Sequence, residues 1–143
     1  MIELNSKTQH DFLNREWVQK LLDAGVDMSD AEYALVVLDN KEWVTTKSAL
    51  ESRHINAYFV SADTPKFLPT YAVSDLMNKL LQWIRNYSTG DFFVGTYIFG
   101  HKYISQISSD VWPEEVPTIL GEEKYYIESL ASLFLGLLNY SYT

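Results

Sequence analysis

Twelve residues near the C-terminus, Ile127 to Leu138, are apolar around almost the whole circumference of a helix, broken only by Glu128, Ser129, Ser132 and Gly136. A helix with one apolar stripe can lie on a surface, but one that is apolar all round needs cover on several sides. The run is too short to span a bilayer, which takes about 20 residues. It predicts a buried helix over Glu122 to Leu138, central in the domain. A homodimer interface along it is the other way of covering it. At 143 residues the chain is long enough to supply that cover as one domain, without disulfides or a structural zinc.

The rest of the sequence supplies the covering elements. Thr8 to Ala24 reads as a helix, with Phe12, Leu13, Trp17, Val18, Leu21 and Leu22 near one stripe and Gly25 as its stop. Tyr33 to Leu38 is β-branched and apolar enough for a largely buried strand. The turn signal Asp39-Asn40-Lys41 returns it through Glu42 to Thr46 as a hairpin. Ile55 to Val60 is a third strand. Thr70 to Asn86 carries the clearest helical period, in Val73, Leu76, Met77, Leu80, Leu81 and Ile84. Asp91 to Phe99 and Lys102 to Ser108 form a second hairpin around Gly100-His101, and 109–121, with Pro113 and Pro117, is a long loop. The order α-β-β-β-α-β-β-α predicts a single α+β domain over residues 1–143. In it, an antiparallel sheet of four to five strands, built from consecutive hairpins, packs against about three helices.

Several chemistries are excluded by residue type or spacing. Without cysteine there is no thiolate nucleophile and no Cys-based metal site. His10, His54 and His101 are dispersed, with no second histidine at i+4, so no metal centre is predicted. Gly90, Gly95 and Gly100 recur every five residues but punctuate an aromatic strand, whereas a phosphate loop opens a helix. Asp27, Asp30 and Glu32 lack the ligand spacing of a calcium loop and read as a polar turn, or with Ser29 as a capping box. No catalytic residue and no cofactor is expected. A net charge of −8, from 11 basic and 19 acidic residues, argues against nucleic-acid and anionic-membrane surfaces as partners. The first residues have neither a basic nor an apolar leader segment, which sets a cytoplasmic expectation.

That charge is unevenly distributed. Residues 1–109 hold 10 bases and 13 acids, whereas residues 110–143 hold six acids against Lys124 alone. Glu122 and Glu123 suit the first turn of the last helix, where its dipole favours negative charge. Glu114 and Glu115 beside Trp112 have no such local reason. An acidic loop with an exposed aromatic residue suits a basic protein partner, so Trp112, Glu114, Glu115, Glu122 and Glu123 form the expected partner-binding surface. The reading is of a non-catalytic cytoplasmic accessory protein acting through protein–protein contact, with an inhibitor or immunity-like role as its sharper form. The alternative is a small-ligand binder or enzyme with a pocket between sheet and helices, built from Asp91, Tyr97, His101 and Tyr103.

Leu21-Leu22-Asp23-Ala24-Gly25, Pro69-Thr70-Tyr71 and Gln82-Trp83-Ile84-Arg85 give the chain a layout that resembles small uncharacterised proteins of phages and mobile genetic elements. The resemblance covers about a third of the chain and rests on structural signatures. It implies an accessory, non-enzymatic role and carries over no catalytic residue.

Overall fold

Six consecutive residues, Tyr33–Leu38, form the central strand β2 of the first of two antiparallel sheets. The computed structural model describes residues 1–50, 68–87, 92–109 and 120–141, and the chain divides into two compact units, Met1–Ala72 and Val73–Thr143. In the first unit β2 pairs with β3 (Lys41–Thr46) across a two-residue turn, and both Asp39 and Asn40 adopt positive φ (52° and 61°). That is the geometry of a type I′ turn, whose twist matches the flanking strands. The short strands β1 (Ile2–Glu3) and β4 (Leu68–Thr70) complete the order β1-β3-β2-β4. Ala34, Leu35 and Val36 are consecutive and all buried, so β2 is covered on both faces, as its unbroken apolar run requires.

Helix α1 (Arg15–Asp23) buries Trp17, Val18 and Leu21. It is shorter than the periodicity predicts. Asn14 caps it by accepting from the Trp17 amide at 3.1 Å, and the residues before it satisfy their polar groups locally. Thr8 Oγ1 donates to the Glu3 carbonyl at 2.6 Å, and the Asn5 side chain accepts from the Lys7 amide at 2.9 Å. Such side-chain bonds compete with helix formation. Phe12 and Leu13 are buried all the same, from an extended segment: the Leu13 amide donates to the Tyr71 carbonyl, and Thr70 Oγ1 donates to the Leu13 carbonyl at 2.7 Å. Thr70, expected to open the next helix, is thus a strand residue. A short helix α2 (Lys47–Leu50) follows β3. The expected strand Ile55 to Val60 lies outside the described residues.

The second unit opens with α3 (Val73–Tyr87), whose Leu76, Leu80 and Ile84 are fully buried at the predicted spacing. Strands β5 (Phe92–Phe99) and β6 (Lys102–Ser109) form the expected hairpin, and β6 pairs on its other side with β7 (Leu120–Glu123). Gly100 turns the hairpin at φ 64°, with a negative φ following at His101, as a type II′ turn demands. Helix α4 (Tyr126–Ser141) packs on β6 and β7 on one side and on α3 on another, where the Trp83 and Phe134 ring centroids lie 6.3 Å apart. Ile127, Leu130, Ala131, Leu133, Phe134, Leu137 and Leu138 are buried, which is the cover the all-round apolar run calls for.

The α+β class with antiparallel hairpin strands stands as the sequence predicts. The strands are shared between two sheets, one of four and one of three, where a single sheet of four to five was expected. The second correction concerns β7: Leu120-Gly121-Glu122-Glu123 pairs with β6 as a strand, and the last helix begins only at Tyr126.

Candidate functional site

Strand alternation sorts the three-stranded sheet into two faces. One face turns toward α4. Thr96 and Ser105 are directly paired across β5 and β6, and their hydroxyls lie 2.7 Å apart. Ser105 Oγ lies 2.7 Å from Ser129 Oγ on α4, which donates to the Tyr126 carbonyl at 2.6 Å. A hydroxyl has one proton to give, so the chain has a single direction: Thr96 donates to Ser105, Ser105 to Ser129, and Ser129 to the backbone. Tyr103 lies on this face with its ring centroid 6.1 Å from that of Tyr126. Gly121 completes it, because a β-carbon there would sit 1.9 Å from the Ser129 carbonyl oxygen and 2.5 Å from the Leu133 nitrogen. Only a residue without a side chain lets β7 lie this close to the helix.

The opposite face carries the exposed apolar groups. Its rows are set by the register: Phe99 beside Lys102; Tyr97 beside Ile104 beside Glu122; Gln106 beside Leu120. Tyr97 is 45% exposed, Phe99 72% and Leu120 44%, while Ile104 in the middle row is buried. Ile98, pointing to the helix side at the hairpin tip, is 65% exposed. Adjacent strands are about 4.8 Å apart, so Tyr97 and Glu122 stand roughly 10 Å from each other across the buried Ile104.

Of the expected partner-binding residues, Trp112, Glu114 and Glu115 lie outside the described residues. Glu122 and Glu123 are on β7, on opposite faces, and not in a helical first turn. Glu122 forms an ion pair with Lys102 at 3.3 Å, both side chains being more than half exposed. That pair contributes at most about 1 kcal/mol, yet it offsets the negative charge that made Glu122 notable in the sequence. Glu123 sits opposite Tyr103, half-buried on the helix side.

The alternative constellation is divided by the same alternation. Tyr97 and Tyr103 occupy opposite faces of the sheet and cannot line one pocket. His101 is exposed in the turn, and Asp91 lies outside the described residues. His10 is half-buried in the turn before α1, and His54 lies outside the described residues. Among the described residues no three His, Asp or Glu side chains gather as a metal-binding group. The Asp27 region is a polar turn, in which the Asp27 carboxylate accepts from the Ser29 amide at 2.9 Å and Lys47 Nζ donates to the Ser29 carbonyl. A cavity of about 190 Å³ in the first unit is lined by Met1, Ile2, Tyr33, Val44 and Ala49 with two threonines. It is smaller than ordinary ligand pockets and holds no titratable acid–base pair.

Phe99 and Leu120 are the site residues that sequence reasoning passed over. A signal was present: β5 has large apolar side chains at both parities, so one helix cannot cover them all. No helix among the described residues is long and apolar enough to cross a membrane. No family model, characterised protein or solved structure matches the chain.

Proposed function

We propose that the chain is a non-catalytic accessory protein that works by binding another protein through the outer face of the β5-β6-β7 sheet. The observation that carries this reading is the group of exposed apolar side chains on that face, Tyr97, Phe99 and Leu120, around the Lys102–Glu122 ion pair. Aromatic anchors set in a polar rim are the usual composition of contact surfaces. Apolar exposure carries more of the argument than charge does, because Glu122 already has a cationic neighbour. The acids at 110–119 add negative charge next to β7 in sequence and suit a basic partner. The resemblance to small uncharacterised proteins of phages and mobile elements implies an accessory, non-enzymatic role and supports the same reading, with the cytoplasm as its place of action and an inhibitor or immunity-like role as its sharper form.

Tyr97→Ser with Leu120→Ser removes two of the anchors, and Glu122→Gln removes the carboxylate on the same face. Native-lysate capture, quantified by mass spectrometry against the parent chain, tests both changes. The anchor pair should lose a specific protein that the parent retains, and Glu122→Gln should weaken its retention and flatten the salt dependence. Equal capture by the parent and the anchor pair would overturn the assignment.

A further inference from the structure

The two sheets present four edge strands among the described residues, and three of them are blunted. β1 is two residues long and carries Glu3; β4 is three residues long and carries Pro69; β7 is four residues long and carries Glu122 and Glu123. Shortness, charge and proline are the devices by which proteins keep sheet edges from pairing with other chains. β5 has none of them. It runs eight residues, Phe-Phe-Val-Gly-Thr-Tyr-Ile-Phe, without a charge or a proline. Its register with β6 is unbroken from Phe92↔Ser109 to Phe99↔Lys102, so no bulge twists the edge away. Among the described residues no strand pairs with its other side.

We infer that this edge is a self-association site, pairing antiparallel with β5 of a second copy of the chain to make one six-stranded sheet. Charge selects the occupant. In a chain with 19 acidic residues, 92–109 is the longest acid-free stretch, and its one formal charge is Lys102 at the tip. Two molecules of net charge −8 repel each other over most approaches, and the hairpin is where two copies meet without opposing carboxylates.

The hairpin geometry also sets which backbone groups face the open edge. A two-residue turn makes Phe99 and Lys102 a hydrogen-bonded pair, and the pairing alternates from there. Residues 95, 97 and 99 therefore bond to β6, while Val94, Thr96 and Ile98 aim their N–H and C=O groups at the open edge. In the proposed pairing the two-fold axis lies at Thr96, the middle of these three residues, which sets Val94 opposite Ile98 and Gly95 opposite Tyr97. An aromatic ring opposite a strand glycine is a stabilising cross-strand combination. Every pair in this register is uncharged. The inference stands apart from the proposed partner binding, since it is read on the purified chain alone.

Sedimentation equilibrium of the full chain, from micromolar to millimolar concentration, tests it. The mass should rise from 16.5 kDa toward twice that value as concentration increases. Ile98→Lys places a charge on the exposed edge, and Ile98→Pro removes an outward-facing amide that β6 does not use. Each should weaken association at least tenfold while leaving the circular dichroism of the parent. Hydrogen exchange supplies a readout without any variant: the amides of Val94, Thr96 and Ile98 should slow as concentration rises, and those of Leu120 to Glu123 should not. A mass that stays at 16.5 kDa throughout would overturn the inference. So would a dimer that both variants leave intact, or exchange at 94, 96 and 98 that is indifferent to concentration.

Discussion

Gly121→Ala adds one methyl group at the point where β7 lies against α4. Its β-carbon would stand 1.9 Å from the Ser129 carbonyl oxygen and 2.5 Å from the Leu133 nitrogen, where an ordinary contact needs about 3.5 Å. Both opposing atoms are backbone, so no side chain can swing aside. The strand has to lift from the helix, straining the Ser105–Ser129 hydroxyl contact beside it. Overpacking of this kind costs about 1–3 kcal/mol, and with two rigid backbone contacts the upper end applies, about 3 kcal/mol. That is a large part of the total stability of an ordinary domain. At a slope of about 2 kcal/mol per molar urea, the unfolding midpoint should fall by about 1.5 M. Gly100→Ala is the control: nothing lies within 4 Å of its added carbon, and its cost is the left-handed backbone alone, about 1 kcal/mol. If Gly121→Ala unfolds within about 0.5 kcal/mol of the parent, or no earlier than Gly100→Ala, the strand does not lie on the helix as described.

Two further substitutions probe the polar links in each unit. Ser105→Ala leaves Thr96 without its acceptor and Ser129 without its donor in a buried chain, and should cost about 1–3 kcal/mol by urea unfolding. Tyr71→Phe removes a 2.6 Å hydrogen bond to the Asp30 carboxylate from a buried ring, and should cost about 1–2 kcal/mol with no change in the fold by circular dichroism.

Local signals in the sequence carried the longer elements. The Leu76, Leu80 and Ile84 stripe, the two hairpin turns and the all-round apolarity of the last helix each follow from residues near one another in the chain. The short strands do not. Ile2–Glu3, Leu68–Thr70 and Leu120–Glu123 hold two to four residues and exist because a distant strand offers them backbone partners. Local propensity is silent on that, and Gly-Glu-Glu before an apolar run reads as a helix start. The first helix was overextended because Phe12 and Leu13 fall on the stripe by spacing while being buried from an extended segment. At the candidate site, charge counting led to Glu122 but could not reveal Lys102, twenty residues away, as its neighbour. Exposure of Tyr97, Phe99 and Leu120 depends on which sheet face α4 covers, which the hydroxyl contact from Ser105 to Ser129 decides.

The central claim, that the outer sheet face is the contact surface, is tested most directly by placing a photo-crosslinking amino acid at Tyr97 and, as a control, at the exposed Gln19 on α1. In native lysate, position 97 should yield a discrete protein adduct that the Leu120→Ser background diminishes, and position 19 should yield none. Equal adducts from both positions, or adducts from position 19 alone, would contradict the account.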